Sequence, residues 1–149
     1  MNMCPAIEEV LGERALARVP RRRVLVVDDD RQIRETIGDI LREEGYEVDS
    51  AENGAAALAA IRRERPPDLM LLDLMMPVIS GLQLLDLMDR DATRLGGIPV
   101  VVITAFSLEA PRNRSVKKCL TKPIDVDSLL DAVRTWSGWP PTSAPKAMA

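Results

Sequence analysis

The stretch Asp68-Leu-Met-Leu-Leu-Asp-Leu-Met-Met-Pro77 decides which fold the sequence predicts. Residues 69–72 are consecutive and apolar, so they cannot form an element with one polar face. We interpret them as a strand buried on both sides, as in parallel sheets. Asp73 follows at the carboxyl end of that strand. Open α/β sheets bind ligands in the crevice outside the carboxyl ends of their strands, which makes Asp73 a candidate for chemistry.

The composition of the 149 residues is that of one ordinary globular domain, with 46% hydrophobic and 29% charged residues. A net charge of -3 provides no electrostatic footprint for nucleic acid or for an anionic membrane surface. No apolar run approaches the roughly 20 residues that span a bilayer. We therefore expect a cytoplasmic protein that binds neither nucleic acid nor membranes directly.

The absence of histidine from the sequence excludes a Cys/His zinc site and a histidine-dependent catalytic triad. Cys4 and Cys119 lie far apart in the chain, and we expect two unpaired thiols. Residues 1–21 have a weak helical pattern broken by Gly12, so they could be a docked helix or a flexible arm, and we favour the arm. The domain should cover residues 22–137. Residues 138–149 are rich in proline and small residues and should be a disordered tail.

Strand and helix patterns alternate along this domain. Strands are predicted over residues 24–27, 46–51, 69–72, 98–103 and 119–122, and helices between the acid run and Gly45 and over residues 55–65, 82–90 and 126–136. The last helix should bury Trp136. Between the fourth and fifth strands, only Leu108 and Val116 could pack and Pro111 interrupts, so the fourth helix should be shortened, displaced or absent.

Four of the predicted strands end in distinctive polar groups: residues 28–30, Asp73, Thr104 and Lys122. In a parallel sheet these ends gather at one edge. Several neighbouring carboxylates cannot all stay ionised unless their pKa values rise or a cation binds. Oxygen ligands favour a hard cation, Mg²⁺ or Mn²⁺ in its place. Such a site suits phosphoryl transfer onto Asp73, with Lys122 and Thr104 contacting the phosphoryl group.

Four motifs in order resemble the receiver domain of two-component response regulators, over about residues 22–137. They are Val-Leu-Val-Val-Asp-Asp-Asp (24–30), Leu-Leu-Asp-Leu-Met-Met-Pro (71–77), Ile-Thr-Ala (103–105) and Leu-Thr-Lys-Pro (120–123). The resemblance implies a flavodoxin-like, doubly wound sheet of five parallel strands in the order 2-1-3-4-5. It also implies a cis peptide bond between Lys122 and Pro123.

The resemblance also implies roles for individual residues. Asp73 matches the phosphoacceptor, Asp28 and Asp29 match the acid pair that holds Mg²⁺, and the backbone carbonyl of Met75 matches a third protein ligand. Thr104 and Lys122 match the switch hydroxyl and lysine that contact the phosphoryl group, and small Ala105 leaves room for it. Met75 and Phe106 match the positions that flank it, and since both are apolar we predict a long-lived phosphorylated state.

The expected phosphodonor is a sensor histidine kinase or a histidine phosphotransfer protein. The chain should be a single-domain response regulator and not an enzyme in the sense of turnover, apart from its own phosphotransfer and autodephosphorylation. Its signal should pass by contact with a downstream protein that the sequence does not identify, or through a phosphorylation-dependent homodimer.

The sequence departs from the family pattern after Thr104. The segment to Lys122 is about one helical turn shorter than usual, and Ser115-Val116 replaces the usual Gly-Ala. Cys119 stands where the family has the aromatic ring that turns inward on activation. These departures favour an altered output surface, and they leave open a pseudo-receiver that acts by contact without phosphorylation.

A different alternative is a phosphatase of the haloacid dehalogenase type, because Asp28-x-Asp30 after an apolar strand fits that family's nucleophile motif. This family expects a further acidic pair on a late strand and a cap insertion, and the sequence has neither. We interpret Asp30 as a helix cap.

Overall fold

The computed structural model describes residues 22–63, 65–76, 80–90, 97–105, 113 and 115–138. Its strands are β1 (Arg23–Val27), β2 (Glu47–Ala51), β3 (Leu69–Asp73), β4 (Val100–Thr104) and β5 (Val116–Thr121). Its helices are α1 (Arg31–Glu43), α2 (Gly54–Ile61), α3 (Gly81–Arg90) and α4 (Val126–Ser137). The predicted N-terminal arm, the C-terminal tail after Gly138 and most of the segment predicted to hold the altered fourth helix lie outside the described residues.

The five strands form one parallel sheet in the order β2-β1-β3-β4-β5, which confirms the order expected from the resemblance. The three central strands are apolar in sequence and buried almost throughout, as expected for a sheet covered on both faces. The register is regular from β2 to β4, and it shifts between Val100 and Val101 where β4 pairs with β5. This pairing makes β5 begin at Val116, three residues before the predicted start.

Helices cover both faces of the sheet, as the doubly wound prediction requires. On one face, Leu25, Met70 and Val102 pack with side chains of α2 and α3. On the other face, Val24 and Leu69 pack with side chains of α1 and α4. Successive residues of a strand point to opposite faces, so a short run of apolar residues in each strand supplies both halves of the core.

The ends of the helices follow local chemistry. Asp30 caps α1, as predicted, because its Oδ1 accepts from the backbone N–H groups of Gln32 and Ile33 at 2.9 and 3.4 Å. Helix α2 ends at Ile61, earlier than the predicted residue 65. A residue that precedes a proline disfavours helical geometry, and Arg65 precedes Pro66.

Helix α4 corrects one expectation about the core. Trp136 was predicted to be buried, but 38% of its surface is exposed, whereas Leu129 and Val133 are fully buried. A helix on a sheet buries one stripe of its surface, and Trp136 lies at the border of that stripe.

Candidate functional site

The polar groups predicted at the strand ends meet at the carboxyl edge of the sheet. Asp73 is the last residue of β3 and pairs with Ile103 of β4. Thr104 is the last residue of β4 and pairs with Thr121, next to Lys122. Asp28 follows the last residue of β1. The parallel register therefore brings four residues that are distant in sequence to one small site.

Three carboxylates lie close together in this site. One oxygen each of Asp28, Asp29 and Asp73 lies within 4.8 Å of the others. Asp28 and Asp73 are buried, while Asp29 is exposed. Oxygen donors clustered at this spacing suit a hard divalent cation such as Mg²⁺, and the exposed Asp29 leaves a route from solvent. The donor set therefore fits the metal that the sequence predicts.

Lys122 supplies the positive charge that these buried carboxylates need. Its Nζ lies 3.1 Å from Asp28 Oδ2 and 3.5 Å from Asp73 Oδ2. Its backbone N–H donates to the carbonyl of Thr104 at 2.8 Å, and the peptide bond to Pro123 is cis, as expected. Burial lowers the pKa of Lys122, but the hydrogen bond and charge of Asp28, together with those of Asp73, outweigh burial and raise the pKa overall.

The pKa of Asp73 is raised, chiefly because the carboxyl group is buried. The backbone N–H of Met75 donates to Asp73 Oδ1 at 3.0 Å and opposes this shift, the charge of Asp28 adds to it, and Lys122 opposes it. Both members of the Lys122 and Asp73 pair thus have raised pKa values. The ammonium group is shared and lies nearer Asp28, so it compensates Asp73 only in part.

Asp28 is held by contacts that the sequence did not predict. The Asp30 backbone N–H donates to Asp28 Oδ1 at 2.9 Å, and the Asp28 N–H donates to the carbonyl of Ala51 at 3.2 Å. Arg34 Nη1 donates to the Asp28 carbonyl at 2.6 Å. Sequence reasoning missed Arg34. An arginine one helical turn after the acid run was the available signal, but only the fold shows that its side chain reaches back to the strand end.

The remaining predicted residues differ in how far they are buried. Thr104 is buried at the strand end, Ala105 is exposed beside it, and Met75 is 61% exposed. Phe106 lies outside the described residues. Cys119 is half-buried and packs against the core on the α2 and α3 face, and burial raises the pKa of its thiol.

Most of the chain matches a known family. The family model for the response regulator receiver domain matches residues 24–134. This chain belongs to the receiver domain family. Within the part of this receiver domain that the structure describes, no helix is long and apolar enough to cross a membrane.

Curated relatives of this receiver domain include proteins that it spans almost completely and one that it spans only in part. The polar-differentiation response regulator DivK of Brucella anthropi is 30% identical over 121 residues, which cover 78% of this chain and 97% of DivK. The protein PilH of Pseudomonas aeruginosa is 32% identical, with 74% and 93% covered. A response regulator receiver protein of Anaeromyxobacter is 40% identical over 74% of this chain, which spans only 46% of that relative.

Solved structures support the fold and the metal chemistry of the family. The chemotaxis protein CheY4 of Vibrio cholerae has a TM-score of 0.70 at 26% identity, covering 78% of this chain and 99% of CheY4. The response regulator TrrA of Thermotoga maritima, solved in complex with Mg²⁺ and BeF, has a TM-score of 0.68 at 33% identity, with 77% and 98% covered. This receiver domain thus has the flavodoxin-like fold of a phosphorylation-based signalling family. Its acidic cluster is compatible with Mg²⁺.

Proposed function

We propose that this receiver domain accepts a phosphoryl group on Asp73 in a Mg²⁺-dependent reaction and then signals by protein contact. The donor is a sensor histidine kinase or a histidine phosphotransfer protein. The observation that carries the proposal is the set of Asp28, Asp29 and Asp73 within 4.8 Å, with the Lys122 ammonium bridging the two buried members.

In the proposed transfer, a carboxylate oxygen of Asp73 attacks phosphorus. A new phosphorus–oxygen bond forms while the bond from phosphorus to the donor's imidazole nitrogen breaks, and that nitrogen keeps the electron pair. The product is an acyl phosphate on Asp73 and a free histidine on the donor. Asp73 is well placed for this role because it ends a buried strand and its Oδ1 is held by the N–H of Met75.

The residues that would hold the metal are Asp28, Asp29, Asp73 and the backbone carbonyl of Met75, with Mg²⁺ as the expected ion and Mn²⁺ as a substitute. When bound, the ion neutralises negative charge on the phosphoryl oxygens. Asp28 can serve as a fixed ligand because its backbone is hydrogen-bonded, its Oδ1 accepts from the Asp30 N–H and its Oδ2 accepts from Lys122 Nζ.

Three further residues contact the phosphoryl group in this proposal. Lys122 donates from Nζ, which already lies 3.5 Å from Asp73 Oδ2. Thr104 donates its hydroxyl, and the small side chain of Ala105 leaves room for the group. Met75 and Phe106 are apolar, so they should hinder an attacking water and prolong the phosphorylated state. Measured decay of the aspartyl phosphate within seconds would contradict this last point.

Other features of the proposal concern the protein outside the site. The receiver domain covers residues 22–137 and acts in the cytoplasm. Its downstream partner is a protein, with a phosphorylation-dependent homodimer as a further form. Cys119 replaces the switch aromatic, so the output surface should differ from that of receivers that use an aromatic ring.

The test is the intact mass of the protein after incubation with acetyl phosphate. We expect a gain of one phosphoryl group with Mg²⁺ and none when EDTA removes the metal. Asp73→Asn should abolish the gain. Asp86→Asn is the matched control, since it makes the same chemical change on the exposed face of α3 and should label normally. Absence of labelling in the unmodified protein would contradict the proposal and favour a pseudo-receiver that acts by contact alone.

The same samples distinguish the receiver function from that of a haloacid dehalogenase-type phosphatase. The phosphatase hypothesis requires the Asp30 carboxylate beside Asp28 in the reaction centre. In the structure, the Asp30 carboxylate instead accepts from two backbone N–H groups of α1. A receiver carries at most one phosphoryl group per molecule. Continuous hydrolysis of a generic phosphate ester, lost in Asp28→Asn, would support the phosphatase instead.

A further inference from the structure

The first residue of α3, Gly81, packs directly on the backbone that carries Asp73. A Cβ atom added at Gly81 would lie 2.6 Å from the Asp73 carbonyl oxygen and 2.6 Å from the Leu74 Cα. Ordinary van der Waals contact begins at 3.4 Å, so each gap is about 0.8 Å too short. Both contacts are with backbone atoms. No side-chain rotation can therefore make room for the added atom.

A hydrogen bond joins the same two segments. The backbone N–H of Gly81 donates to the Leu74 carbonyl at 3.1 Å. The N–H groups of a first helical turn lack partners within their own helix, so this bond gives the Gly81 donor a partner in the loop after β3. The loop also contains Met75, whose N–H binds Asp73 Oδ1. One close approach thus restrains the acceptor side chain and the following loop together.

Helix α3 cannot readily move away to relieve a clash. Ser80 and Gln83 form a capping box at its start: the Gln83 N–H donates to Ser80 Oγ at 3.2 Å, and the Ser80 N–H donates to Gln83 Oε1 at 2.9 Å. Leu84, Leu85 and Met88 anchor the helix in the core beneath the sheet. A side chain at position 81 would therefore displace the end of β3 more readily than the helix.

From these contacts we infer that Gly81 is a positioning residue for phosphoryl transfer, and that the absence of a side chain there sets where the Asp73 carboxylate lies. The inference rests on the proposed function, because it concerns the rate at which Asp73 is phosphorylated. Gly81 touches neither the phosphodonor nor the metal in this proposal. It acts through the backbone of Asp73 and Leu74.

The experiment compares Gly81→Ala with two glycine controls. A Cβ at Gly97 would meet nothing within 4 Å, and a Cβ at Gly38 would come nearest, at 3.0 Å, to the flexible guanidinium end of Arg42. Phosphorylation by acetyl phosphate at saturating Mg²⁺ is measured over a range of donor concentrations. Circular dichroism gives the folded fraction, so that each rate is expressed per folded molecule.

We expect Gly81→Ala to lower the maximal rate per folded molecule by roughly 10- to 100-fold, since displacements below 1 Å at a reacting group have effects of that size. The donor concentration at half-maximal rate should change little, and both controls should keep the unmodified rate. A purely structural role for Gly81 would lower the melting temperature and the folded fraction but leave the rate per folded molecule unchanged. That result would overturn the inference.

A second measurement needs no variant and covers the case in which Gly81→Ala does not fold. Amide hydrogen exchange of the unmodified protein should show a protected Gly81 N–H, as slow as the amides inside α3, because it donates to Leu74. Rapid exchange at Gly81 would overturn the inference. If the unmodified protein is not labelled at all, the proposed function fails, whereas normal labelling of Gly81→Ala beside labelled controls defeats only the role of Gly81.

Discussion

Replacing Asp73 with asparagine should stabilise the metal-free protein while abolishing its phosphorylation. The carboxylate is buried, and its side chain is only 5% exposed. With an effective dielectric constant of about 20, attraction to the Lys122 ammonium at 3.5 Å is worth about 5 kcal/mol. Repulsion from Asp28 at up to 4.8 Å costs about 3.5 kcal/mol, and the exposed Asp29 adds about 1 kcal/mol.

These charge interactions nearly cancel. The loss of hydration on burial therefore decides whether Asp73→Asn stabilises or destabilises the protein. Burial of a carboxylate costs several kcal/mol, and the hydrogen bond from the Met75 N–H returns only part of that cost. An asparagine oxygen can still accept that bond without carrying a charge. We therefore expect Asp73→Asn to raise the free energy of unfolding by about 1 kcal/mol, which is about 4 °C in melting temperature for a domain of this size.

The assay is urea denaturation followed by circular dichroism, first in EDTA and then with Mg²⁺. A ligand at a hundredfold excess over its dissociation constant stabilises a protein by about 2.7 kcal/mol. Mg²⁺ should therefore stabilise the unmodified protein more than Asp73→Asn and reverse their order. Asp86→Asn should stay within about 0.5 kcal/mol of the unmodified protein in both buffers, because its carboxylate is exposed. If Asp73→Asn is less stable than the unmodified protein in EDTA, the reasoning about burial is refuted.

Two further predictions concern residues outside the reaction centre. Asp30→Ala should cost about 1 kcal/mol of stability, since it removes the cap of α1, and should leave phosphorylation by acetyl phosphate intact; loss of labelling with retained stability would place Asp30 in the reaction instead. The second concerns Tyr46, whose pKa is raised above its ordinary value of 10.0 chiefly by burial. Its ionisation should leave stability unchanged below about pH 10 and lower it at higher pH, where the unfolded chain loses the proton first. Tyr46→Phe should flatten that decline in urea titrations made in a Cys119→Ala background, which removes a buried thiol that also ionises at alkaline pH. An equally steep decline would contradict the assignment to Tyr46.

The sequence was most informative where one residue type has one physical use. Buried apolar runs predicted β1, β3 and β4, and the carboxylate after the run in β3 predicted where the acidic site would lie. The predicted start of a strand and the predicted burial of a side chain were less accurate where packing against another element decided them. Strand β5 begins at Val116 because it pairs with β4 across a register shift, and Trp136 is half-exposed because the stripe that α4 buries ends beside it. The sequence around Val116 and around Trp136 does not indicate either effect.

The amino-acid sequence alone was enough to predict an alternating α/β fold and a cluster of carboxylates at the strand ends. These properties follow from periodicity and from the ends of apolar runs, which are local. Only the tertiary structure brought the Lys122 ammonium between Asp28 and Asp73, turned the Arg34 side chain back to the Asp28 carbonyl and pressed Gly81 against the Asp73 backbone. Those contacts join residues from different elements, so their distances depend on how helices and strands pack together.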